Sequence, residues 1–172
     1  MSRYGILIGI LIVLKVIYFV SRYESNDSGD TDEIRIFYNE NAKSYDQIDS
    51  AFVNLNNNYF TQDKPISELK AEYQKFLKLI VSKRKKLMAS NVPDKAHCDQ
   101  LFDQFKNVFK TYEASAKQLF SSLLKFQKND DIDAYEKALK LCETNIEKAS
   151  REFLKVRNRL KKRHKLIMEN AS

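Results

Sequence analysis

After residue 33 the apolar side chains recur in alternating steps of three and four. The first run is Ile34, Tyr38, Asn41, Tyr45, Ile48, Phe52, Leu55 and Tyr59, with Asn41 its one polar member. The second is Ile66, Leu69, Tyr73, Phe76, Ile80, Lys83 and Leu87. A third passes through Cys98, Leu101, Phe105, Val108, Tyr112, Ser115, Leu119 and Ser122, with Phe102, Phe109, Phe120, Leu123 and Phe126 broadening its stripe. The fourth runs Ile132, Tyr135, Leu139, Cys142, Ile146, Ala149, Phe153, Val156, Leu160, Arg163 and Ile167. A spacing that averages 3.5 residues over this many turns is the signature of helices buried along one stripe.

Helix punctuation separates the runs. Asn56-Asn57-Asn58 and Thr61 to Pro65 close the first, with Pro65 suited to a first helical position. Asn91 to Asp94 and Lys128 to Asp131 close the second and third, the latter leaving acidic side chains at a helix start. All three connections are short, so each helix must return antiparallel to its predecessor. The pattern predicts an all-α, up-down-up-down antiparallel four-helix bundle over 34–172, in which the last two helices project as the longer hairpin. The alternative is an elongated antiparallel coiled coil completed by dimerisation, because the tyrosine-rich first seam suits a groove whose hydroxyls stay wet.

The N-terminal residues follow a different pattern. Tyr4 to Val20 are apolar except for Lys15, near the shortest length that spans a bilayer, and Lys15 lies where its stem reaches the headgroups. Residues 1–22 therefore read as a single-pass transmembrane anchor. A cleaved signal peptide is the rival reading, and the stretch from Val16 to Arg22 lacks the small residues that cleavage needs. Gly5 and Gly9 form a GxxxG step, a common feature of membrane helices that also permits close helix pairing. Arg3 is matched by Lys15 and Arg22, so charge leaves orientation open, with a slight lean to a bundle outside the cytoplasm. Residues 23–33, polar and acidic, have the composition of a solvated, flexible tether.

Composition supports this division. Three glycines and two prolines in 172 residues are too few for a turn-rich sheet protein. The net charge of +7 favours anionic partners, and its distribution is more specific. Lys83, Arg84, Lys85 and Lys86 end the second helix, while Arg157, Arg159, Lys161, Lys162, Arg163 and Lys165 end the fourth. Cations at helix C-termini are favoured by the dipole. In an up-down-up-down order both runs should gather beside the tether at the membrane-facing pole, an expected contact for an anionic surface. Clustering at one end, without interleaved exposed aromatics, argues against nucleic acid.

Catalytic signals are few. The chain has no glycine-rich phosphate loop, HExxH or GxSxG, and two histidines limit its general bases. His97, Cys98 and His164 fall at one height when the fourth helix is folded onto the third, yet adjacent helical residues point about 100° apart and do not converge on one ion. No metal, cofactor or catalytic residue is expected. Cys98 and Cys142 should lie at different heights and remain unpaired. The functional expectation is a membrane-anchored, non-enzymatic interaction or scaffold domain with a protein partner or a second copy of itself. The alternatives are a sensor-like bundle holding a small ligand between its helices, and a basic domain binding anionic lipid or nucleic acid.

Overall fold

A computed structural model describes residues 29–60, 64–129 and 132–163. Among the described residues there are four helices and no strand: α1 (Gly29–Phe60), α2 (Ile66–Ala89), α3 (Cys98–Asn129) and α4 (Ile132–Arg163). No helix among them is long and apolar enough to cross a membrane. The expected anchor, residues 1–22, lies outside the described residues.

The helix boundaries depart from expectation at both ends of α1. It begins at Gly29, so that residues 29–33, assigned to the tether by composition, are its first turn and more. Asp32 and Glu33 favour the positive end of the helix dipole, and Asp32 pairs with Arg35 at 2.8 Å. At the other end α1 runs through Asn56-Asn57-Asn58. The Asn58 amide donates to Glu72 of α2 at 2.9 Å, and the Lys64 ammonium pairs with the same carboxylate. A side chain that sequence statistics assign to a turn is thereby retained in a helix by a tertiary partner.

Pro65 sits one position earlier than expected, as the N-cap of α2, where its carbonyl accepts from Glu68 N at 2.9 Å. α2 ends at Ala89, with Ser90 returning both its amide and its hydroxyl to the Leu87 carbonyl. α1, α3 and α4 each have 32 residues and α2 has 24. Among the described residues, then, the helices of the last hairpin are no longer than the first helix, and α2 alone is short.

Side-chain pairs give the directions. Phe52 lies against Phe76 and Asn58 bonds Glu72, so α2 descends as α1 rises. Tyr73 stacks on Phe120 at 4.4 Å and Arg84 pairs with Glu113, so α3 reverses again. Phe126 faces Tyr135 and Phe105 faces Phe153, so α4 reverses once more. α1 runs parallel to α3, with Tyr38 on Phe105 and Tyr45 on Tyr112. This is a four-helix bundle in which α3 touches all three other helices.

Most of the described seam residues are buried, and the described part of the first seam is closed within one chain: Tyr38 and Tyr45 are each 2% exposed. A second chain is thus not needed to cover it, contrary to the premise of the dimeric coiled-coil alternative. Ile66 and Ile132, the first members of their series, stay exposed, and burial starts at Leu69 and Tyr135. Beside its seam α3 also buries Phe109, Ala116 and Leu123, and α1 likewise reaches all three other helices, through Phe52 on Phe76, Tyr45 on Tyr112 and Tyr45 on Phe153.

Candidate interaction surface and the buried polar network

The two basic runs do not converge. Arg84 is level with Glu113 through their 2.8 Å ion pair, whereas Phe153 is level with Phe105, which carries Arg157 to Arg163 up to the start of α3. At 1.5 Å per residue the runs are about 20 Å apart along the bundle axis. The shortness of α2 is the cause. Its helix stops early and the chain climbs to α3 through 90–97, burying Pro93 and packing Val92 against the core.

The individual cations are also unequal. Lys85 and Lys86 are exposed and Lys83 is half-buried, while Arg84 bonds Glu113. Arg159, Lys162 and Arg163 are exposed and Lys161 is half-buried. Arg157 is only 7% exposed, and its guanidinium bonds Asn158 at 3.3 Å, which removes it from the solvent-facing charge. Lys165 lies outside the described residues.

α2 and α3 are joined at their surface by a three-member charge cluster. Glu113 receives Arg84 at 2.8 Å and Lys117 at 2.5 Å, and these partners, Lys117 first, hold its carboxyl below the usual range. Beyond this cluster α2 exposes large apolar side chains, Val81 at 48% and Met88 at 64%. Leu77, Lys78, Val81, Ser82 and Lys85 line a shallow depression there.

The interior contains a polar network that the seam pattern did not expose. Tyr112 donates to Asp49 Oδ1 at 2.5 Å, and the Tyr45 and Ser150 hydroxyls share a hydrogen bond of 3.1 Å. The two tyrosine rings meet edge to face at 6.1 Å, so α1, α3 and α4 are joined at one level. Asp49 is 6% exposed and its Oδ2 has no hydrogen-bond partner among the described residues. Burial raises its carboxyl above the ordinary range, opposed by the Tyr112 bond. Burial and then the Asp49 charge lift Asp46 to about 6 and Tyr45 to about 12. Asp49 follows Ile48 by one residue and so lies beside the seam. The spacing of Tyr45 and Asp49, four apart on one helix face, was the available signal.

Cys98 and Cys142 are both buried and free. Cys142 donates to the Ser115 carbonyl at 3.5 Å, close to the height beside Lys117 that antiparallel registration requires. Burial first pushes each thiol up to about 11, which leaves little thiolate for reaction at neutral pH. His97 precedes α3 with φ 74°, its Nδ1 3.3 Å from Gln100 Oε1, while His164 lies outside the described residues. Among the described residues no group of three His, Cys, Asp or Glu side chains is placed to hold a metal ion.

Comparison with protein-family models, with curated proteins and with solved structures finds no match to the chain.

Proposed function

We propose that the protein is a membrane-anchored helical-bundle interaction or scaffold module, whose work is done at its surface and not by catalysis. The observation that carries this reading is the continuous aromatic packing of the bundle axis. Phe105 meets Phe37, Tyr38, Phe109 and Phe153, and Tyr112 meets Tyr45 and Phe52, with centroid separations from 4.9 to 6.5 Å. Rings in mutual contact occupy the space that a sensor bundle keeps for a ligand. Recognition is left to the outer faces, which carry the exposed cations. The apolar, uncharged run from Tyr4 to Leu14, continued to Val20 past Lys15, supports the anchor.

The test has two arms. Membranes from cells making the full chain are washed with alkaline carbonate, and the detergent-extracted chain is then cross-linked and sized. Retention in the pellet together with a discrete cross-linked species, of one chain with a partner or with itself, is the expected result. Release by carbonate removes the anchor. A chain that migrates only as an uncross-linked monomer removes the interaction role.

A further inference from the structure

The longest stretch of described chain that carries cations and no acidic residue is on α2 and its exit. Between Glu72 and Asp94 there are six cations, Lys75, Lys78, Lys83, Arg84, Lys85 and Lys86, and no Asp or Glu. The helix geometry sorts them. Phe76 and Glu72 turn toward α1, and Tyr73 and Arg84 turn toward α3. At 100° per residue, Leu77, Lys78, Val81, Lys85 and Met88 fall together beyond Arg84, as a second stripe beside the buried one.

This stripe is apolar and basic at once. Val81 and Met88 are held largely in water, between lysines whose four-carbon stems can lie along apolar surface with their ammonium groups outward. Across the edge, α3 adds exposed Lys110 and Lys117, and Glu113, the acid between them, is occupied by Arg84 and Lys117. An apolar strip bordered by cations on both sides matches the boundary between acyl chains and anionic headgroups.

From this placement we propose that the outer face of α2 docks side-on against an anionic lipid bilayer, with Val81 and Met88 entering the headgroup boundary and Lys78 and Lys85 meeting lipid phosphates or carboxylates. A second copy fits less well. A two-fold contact through this face would bring Lys78 and Lys85 of one copy against the same lysines of the other, cation facing cation. The inference rests on the anchoring reading for the high local concentration of lipid that an anchor supplies. It differs from a contact at the α4 end, because the bundle lies along the membrane and does not stand on it.

Single cysteines at Val81→Cys, Met88→Cys and, on α4, Leu141→Cys in the full chain report the contact. Native Cys98 and Cys142 are 0% exposed and so take up no label in the folded protein. Each variant carries a polarity-sensitive fluorophore in vesicles of phosphatidylcholine alone or with one-third phosphatidylserine, with spin-labelled lipid as quencher. The expected result is a blue shift and lipid quenching at 81 and 88 in the anionic vesicles only, with position 141 unchanged. Lys78→Gln with Lys85→Gln lowers the docked-to-undocked ratio about 30-fold at low ionic strength, and physiological salt narrows that effect.

Quenching at 81 and 88 no greater than at 141, or equal in zwitterionic vesicles, overturns the proposal. A blue shift without lipid quenching also overturns it, since protein then covers the face, either a second copy or an acidic partner. Carbonate extraction of the same samples reads the anchor separately. A chain retained by the membrane but unquenched keeps the anchor and loses the docking face. A chain released but quenched by added anionic vesicles does the reverse.

Discussion

Asp49 has one hydrogen-bond donor, the Tyr112 hydroxyl, and a second oxygen with none among the described residues. Removing that donor by Tyr112→Phe leaves a buried carboxyl stripped of its partner, a loss on the order of 1–3 kcal/mol. Asp49→Asn on the same background should recover part of the loss, because the neutral amide costs less to bury than the carboxylate. Chemical denaturation of the two single variants and the double variant measures the coupling. His97 presents the opposite case. Its φ of 74° places a side chain in the left-handed region, which costs a non-glycine residue about 1 kcal/mol. His97→Gly is expected to raise the melting temperature by about 2–4 °C, read by thermal circular dichroism. An unchanged or lower value would mean that the His97 side chain, through Gln100, offsets the strain.

Phe105 links three helices from a single position, with 0% exposure and ring contacts on α1, within α3 and on α4. Phe105→Ala should cost about 3–5 kcal/mol, the range for emptying a closed aromatic site. Phe120→Ala, which removes a half-buried ring stacked on Tyr73, should cost less. Urea midpoints compare the two. The helices that contain these residues were legible because their seams repeat without interruption, and the described turn between α2 and α3 falls where Asn91, Pro93 and Asp94 cluster, while Pro65 caps the start of α2. The ends of α1 were not legible. Local composition marks Gly29 to Glu33 and Asn56 to Asn58 as loop; the first stretch is helical with a local i,i+3 pair of Asp32 with Arg35, and the second is held by the Asn58 contact to Glu72 of α2, which no local window contains. The second stripe of α2 was legible in spacing, but its weight comes from the exposure of Val81 and Met88, which follows only from where α3 lies.

The bundle as a whole should respond to pH in a direction set by its buried carboxyls. Asp46 is lifted from 3.8 to about 6 by burial and by Asp49, and burial raises Asp49 and Glu143 as well. A raised carboxyl binds its proton more tightly folded than unfolded. Its stabilising contribution is complete below the unfolded value and is lost as pH rises through the folded value. Glu113 acts in the opposite sense, since its ion pairs with Lys117 and Arg84 lower it, so that its contribution fades as pH falls through its lowered folded value. For Asp46 the window is therefore about pH 4 to 6, and stability should decline across it as pH rises. The difference is on the order of 1–2 kcal/mol once partial exposure is allowed for. The same carboxylates are the reason the register of α1 matters. Sliding α1 by one residue would take Asp49 from Tyr112 and turn Ile48 out of the core. Asp46→Asn removes the leading charge without altering shape, and the expected outcome is a melting temperature that is higher at pH 7 and declines less between pH 4 and 6 than that of the native chain, the remaining slope coming from Asp49 and Glu143. Thermal unfolding of the full chain and of this variant, at matched ionic strength across that range, decides it: parallel curves for the two would show that the Asp46 carboxyl is solvated in the folded protein and that the pH response arises elsewhere.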